Sequence, residues 1–275
     1  MSDNRPIGVF DSGIGGLTVL RAVWEQLPHE STVYFGDNGR APYGTKSHET
    51  IVKYSVEDLA FLEKQNVKAV VIACFTASAH AYKAVCEKAH VPVVEMVHPG
   101  AKAAVSATRN NKIGIIATKA TVNSGVYESA VSEYALKMGK GPAEVFSVAC
   151  PLFVSLAEEG WWDRPATRLI AEEYLRPLIE AGVDTLVLGC THYPLLSGVI
   201  SEIMGPSVTL INAGKSVAEE LSALLKENDS FCDSSSSSEP SYQFFTSDNP
   251  EDFENVASPF LGGGRPKGTK HVDEN

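Results

Sequence analysis

VKAVVIACFT at residues 67–76 and VDTLVLGCTH at residues 183–192 nearly superimpose, each an apolar, β-branched run that reaches a cysteine, Cys74 or Cys190, with threonine close behind. Each reads as a buried strand whose carboxyl end feeds a helix. Self-similarity inside one chain points to a duplicated unit. A weaker echo pairs IGVFDSG from Ile7 with IGIIATK from Ile113. Outward from these stretches, short apolar runs alternate with helical periods: PIGVFD then 16–27, STVYFGD then 47–65, VKAVVIAC then 76–89. The alternation continues through VPVVEM, KIGIIAT, AEVFSV, VDTLVLGC and SVTLINA. That pattern predicts an α/β fold, with parallel sheets covered by helices on both faces.

The 275 residues, 44% hydrophobic and 21% charged, suit one large domain or two modest ones. No apolar run reaches the roughly 18 residues of a membrane span, and MSDNRPIGVF lacks the regions of a signal peptide, so a cytoplasmic protein without membrane contacts is expected. The net charge of −11, with Lys and Arg scattered, argues against a nucleic-acid partner. Five cysteines with no C-x-x-C pair favour neither a disulfide framework nor a metal site.

From Glu227 the composition turns polar, and NDSFCDSSSSSEPS reads as a loop or linker. YQFFTS then has strand character and DNPEDFENVASPFL a helix start, whereas GGGRPKGTKHVDEN reads as a mobile tail.

Ligands of open α/β sheets bind outside the carboxyl ends of the strands, near helix starts rich in free N–H groups. Four such ends carry reactive residues: Asp11 to Gly16, Gly36 to Gly44, Cys74 to Ser78, and Gly189 to Pro194. DSGIGG lacks the spacing of a dinucleotide loop and the Lys-Ser/Thr of a P-loop, so a nucleotide is not expected. Asp11 reads equally as a helix cap or as a catalytic carboxylate. Buried packing is the better reading for Cys86 and Cys150. Cys74 and Cys190 differ because each precedes a helix start, which favours thiolate. Asp11 and His192 are potential partners in proton transfer, His192 with its ordinary pKa near neutrality. Cysteine with histidine also fits a nucleophilic hydrolase. Two similarly placed cysteines suit inversion at carbon better, since inversion needs a base on one face and an acid on the other.

The stretches IGVFDSGIGGLTVLR, YFGDNGRAPYGTKS, ACFTAS, IGIIATKATVNSG, CPLFVSLAEEG and DTLVLGCTHYPLL together resemble the glutamate racemase family, of the aspartate/glutamate racemase superfamily, from Ile7 to about Gly262. The resemblance implies two pseudo-symmetric α/β domains facing across a cleft: residues 1–97 with 212–262, and residues 98–211, with 263–275 as a flexible tail. It implies cofactor-independent racemisation of glutamate, with no metal, for peptidoglycan synthesis. Cys74 would take the α proton of D-glutamate and Cys190 that of L-glutamate, assisted by Asp11, His192 and Glu158. Substrate contacts would come from Asp11, Ser12, Tyr43, Gly44, Phe75, Thr76, Thr118, Thr121, Thr191 and His192. Homodimers are among the assemblies it allows. Phe75 stands where the family usually has Asn, and Glu95 and His98 where it more often has Gly and Glu. An aspartate or hydantoin racemase, or a poorly active ligand-binding relative, therefore stays open as an alternative.

Overall fold

The computed structural model describes residues 2–233 and 239–273. Ser234 to Ser238, part of the expected linker, lie outside the described residues. The strands are β1 (Ile7–Asp11), β2 (Thr32–Gly36), β3 (Ala69–Ile72), β4 (Val93–Val94), β5 (Lys112–Ala117), β6 (Glu144–Ala149), β7 (Thr185–Gly189), β8 (Thr209–Ile211), β9 (Tyr242–Thr246) and β10 (Lys270–His271). Helices intervene between most of them, among them Leu17–Gln26, His48–Lys64 and Phe75–Lys88.

The chain divides into two compact units, Met1–Met96 with Gly214–Asn275, and Val97–Ala213. The first holds a six-stranded sheet in the order β10-β9-β2-β1-β3-β4, the second a four-stranded sheet in the order β6-β5-β7-β8. All pairings are parallel. The core order β2-β1-β3-β4 therefore repeats as β6-β5-β7-β8. Register repeats with it. Ile7 stands opposite Ala69 as Ile113 stands opposite Thr185, and Val70 opposite Val93 as Leu186 opposite Leu210. Both internal echoes thus occupy equivalent places in their sheets.

Every residue of β1, β2, β3 and β7 is buried, which is why these strands read as unbroken apolar runs rather than alternating ones. Each fully buried Val, Leu, Ile or Phe stabilises the fold by about 1.5–3 kcal/mol. Around β7 the core gathers Ile116, Phe153, Leu175, Leu178, Tyr193 and Ile200. Local chemistry sets the helix starts. Ser47 Oγ accepts the Thr50 N–H at 3.3 Å, and Asn249 accepts that of Glu251 at 3.0 Å to open the helix Pro250–Ala257.

Two expectations need correction. Residues 263–275 are not a featureless tail: β10 pairs with β9, Val272 N donates to Thr246 O at 2.9 Å, and Thr269 N donates to Glu254 Oε1 at 2.8 Å. The edge of β9 offers unpaired backbone groups, and two residues suffice to meet them without any hydrophobic period. Cys86 is exposed, because Ala77, Ala81 and Val85 take the inward face of its helix.

Candidate active site

In the first unit, β1 ends at Asp11 and β3 delivers Cys74, both buried. Cys74 is the N-cap of the helix Phe75–Lys88. Its Sγ accepts the Ala77 N–H at 3.5 Å and donates to Ser12 Oγ at 3.4 Å. Asp11 Oδ2 accepts the Gly16 N–H at 2.8 Å, so the carboxylate closes its own turn just ahead of the helix Leu17–Gln26. Gly16 is required there: a Cβ would fall 2.5 Å from that of Asp11 and 2.8 Å from Tyr34 Oη. The helix start does not prevail at Cys74. Burial, and then the charge of Asp11, push its thiol well above the ordinary range, against the lowering bonds from Ser12 and Ala77. Cys74 consequently rests as a protonated thiol.

In the second unit, β7 delivers Cys190, Thr191 and His192, all buried, at the head of the short turn Tyr193–Leu196. His192 Nδ1 lies 3.7 Å from Cys190 Sγ, and its Nε2 lies 2.8 Å from Glu158 Oε1. Glu158 closes the helix Leu152–Glu158 and is partly exposed. Burial alone would lower the pKa of His192. The bonds to Cys190 and Glu158 overcome it and raise the imidazole to about 10, away from the neutral value that the sequence suggests. At neutral pH His192 is an imidazolium.

The remaining expected contacts divide. Thr118, at the end of β5, caps the helix Lys119–Asn123, its Oγ1 accepting the Thr121 N–H at 3.2 Å and lying 3.0 Å from Thr121 Oγ1. Thr76 and Phe75 are buried in the first turn after Cys74. Gly44 sits in the turn Tyr43–Thr45, half-buried, as is Ser12. The buried hydroxyl of Tyr43 bonds to Asp37 Oδ2 and to Asp58 Oδ2, the latter at 3.0 Å. Arg40 ties both carboxylates together, at 2.7 Å from Asp37 and 2.8 Å from Asp58. This network escaped the sequence reading, although Asp37, Arg40 and Tyr43 recur at three-residue steps in GDNGRAPYG. A pocket of about 460 Å³ beside Arg40, walled by Phe35, Tyr54, Phe61 and Asp58, holds neither Asp11 nor Cys74.

Each of two like sheets thus carries a cysteine beyond the end of a central strand, with ionisable neighbours acting on it. The chain matches the Asp/Glu/hydantoin racemase family over residues 7–221 and belongs to it; it is an isomerase. Within that family it stands with the glutamate racemases. It is 45% identical over 259 residues to the glutamate racemase of Geobacter metallireducens, covering 94% of this chain and 93% of that one. The crystal structure of a glutamate racemase isoform from Bacillus anthracis superposes with a TM-score of 0.91 at 38% identity, covering 98% of both chains. That of the Francisella tularensis enzyme in complex with D-glutamate gives 0.90 at 39%, again over 98% of both.

Proposed function

We propose that the chain interconverts L- and D-glutamate by moving the α proton between Cys74 and Cys190, with no organic cofactor or metal, and so supplies D-glutamate for peptidoglycan. The observation that carries this reading is the equivalent placing of the two cysteines, Cys74 two residues past β3 and Cys190 one past β7, with the charge of Asp11 acting on the first and His192 beside the second. Racemisation at a carbon acid needs a base on one face and an acid on the other. Resting as a thiol, Cys74 is ready to donate. To abstract, it must first pass its proton to a neighbour, and the Asp11 carboxylate, whose charge it feels, is the natural receiver. The His192 imidazolium, oriented by Glu158, plays the converse part: it gives its proton to Cys190, which delivers one to the opposite face of the α carbon, and is left as the neutral imidazole that takes the proton back in the reverse direction. Abstraction spreads charge into the α-carboxylate, and hydroxyls of Ser12, Thr76, Thr118, Thr121 and Thr191, with backbone N–H groups at strand ends, stabilise it.

The test is loss of optical activity by circular dichroism with L-glutamate, D-glutamate and aspartate, with buffer as control. Racemisation of glutamate above aspartate upholds the proposal. Preference for aspartate assigns a related substrate, and no turnover with either leaves a ligand-binding relative.

A further inference from the structure

The chemistry above depends on two short loops staying where they are, and in each a buried tyrosine hydroxyl is spent on a backbone carbonyl. In the first unit Tyr34, on β2, donates to Gly13 O at 2.8 Å. Gly13 follows Ser12, whose Oγ receives the Cys74 thiol. The same hydroxyl lies against Gly16, where no Cβ would fit, and Gly16 N is the donor to Asp11. The ring of Tyr34 rests on Phe253 from the helix Pro250–Ala257, with centroids 6.1 Å apart. In the second unit Tyr193, next to His192, donates to Cys150 O at 2.8 Å. Cys150 leads into the helix Leu152–Glu158, whose last residue accepts from His192 Nε2. The Tyr193 ring meets Phe153 edge-on, with centroids 5.3 Å apart.

We propose that Tyr34 and Tyr193 are positioning residues, one for each cysteine, whose hydroxyls fix the loops that hold the proton partners of Cys74 and Cys190. This rests on the racemase reading. Each tyrosine acts through a carbonyl. Tyr34 locks the Asp11-to-Gly16 turn, and Tyr193 ties the His192 turn to the helix that bears Glu158. Removing the Tyr34 hydroxyl takes its donor from Gly13 O, and removing the Tyr193 hydroxyl leaves Cys150 O with the N–H of Phe153 at 3.1 Å but no tie to the His192 turn, so in each case one loop drifts while the other unit keeps its geometry. Small misplacements of catalytic groups cost up to about 100-fold in rate.

The experiment uses the full chain as Tyr34→Phe and Tyr193→Phe, and reads α-deuteron loss separately from α-deuterated D- and L-glutamate. Each variant is expected to slow loss from one enantiomer by about 10-fold or more relative to the other, with opposite preferences in the two variants. Alkylation of Cys74 and Cys190, resolved by peptide mapping on the soluble fraction, supplies a second readout if either variant folds poorly. Tyr34→Phe should alter the rate at Cys74 alone, and Tyr193→Phe at Cys190 alone. Native rates, or equal slowing with both enantiomers and equal changes at both cysteines, overturn the positioning roles. A native chain that exchanges neither enantiomer overturns the racemase reading instead, and this inference with it.

Discussion

Glu158 Oε1 lies 2.8 Å from Nε2 of His192, thirty-four residues further along the chain, so the imidazole next to Cys190 is held from behind by a carboxylate on a different element. Such a partner fixes ring orientation and tautomer and favours the protonated ring. His192→Asn should therefore lower kcat by about 100-fold or more. Glu158→Gln, which keeps the shape and removes the charge, should cost less. L- and D-glutamate have equal free energy, so kcat/KM must stay equal in the two directions. Asymmetry shows in kcat and KM taken separately, and progress curves from each enantiomer measure it. Small losses of equal size in kcat from both sides would reduce His192 to a structural group.

His192 also sets a pH window for stability. Its pKa rises from an ordinary 6.5 to about 10 on folding, so the native state holds the proton more tightly than the unfolded chain. The stabilisation is complete below about pH 6.5 and fades as pH climbs through about 10. Urea midpoints at pH 6, 8 and 10 should fall more steeply for the native chain than for His192→Asn. Parallel curves would show that the imidazole carries no such linkage.

On the two-cysteine proposal, Cys74→Ser and Cys190→Ser should each abolish racemisation, because each variant loses the group proposed for one face of the α carbon. Either variant should still release the α deuteron from the single enantiomer served by the surviving cysteine. By the family resemblance, Cys74 serves D-glutamate. Near-native racemisation by either variant would end the two-cysteine proposal.

Phe75→Asn tests the residue that departs from the family. The ring is buried, so exchanging it for an amide should destabilise the chain by about 3 kcal/mol or more. An amide can bond to a zwitterionic amino acid where a phenyl ring cannot, and one restored bond is worth about a 5- to 150-fold gain in kcat/KM. Kinetics with both enantiomers, at a temperature where both proteins are folded, should show that gain. Its absence would place the ring in packing alone.

Truncation after Gly262 should now cost stability, against the sequence expectation. It removes β10 together with the bonds from Val272 N and Thr269 N, each worth about 0.5–1.5 kcal/mol. Cutting at Ser230 removes β9, which lies between β2 and β10, along with buried Phe244, Phe245, Phe253 and Phe260, and should abolish soluble expression. Unfolding midpoints and solubility decide both. An unchanged midpoint after the shorter cut would show that β10 is dispensable.

The sequence by itself determined the parallel α/β class and the equivalence of the Cys74 and Cys190 strands, because strands buried on both faces must be continuously apolar and a duplicated unit repeats its pattern. It also located helix starts such as Ser47, since caps are local chemistry. The tertiary structure decided what depends on contacts remote in sequence. Tyr43 turns to Asp37 and Asp58, which Arg40 ties together. The last residues find an open edge on β9. Ionisation followed burial at Cys74, and at His192 followed the bonds to Cys190 and Glu158 against burial. Periodicity records which face of an element is apolar. It does not record how far a thiol or an imidazole is withdrawn from water, or which charge awaits it there, and these move Cys74 and His192 away from their ordinary values.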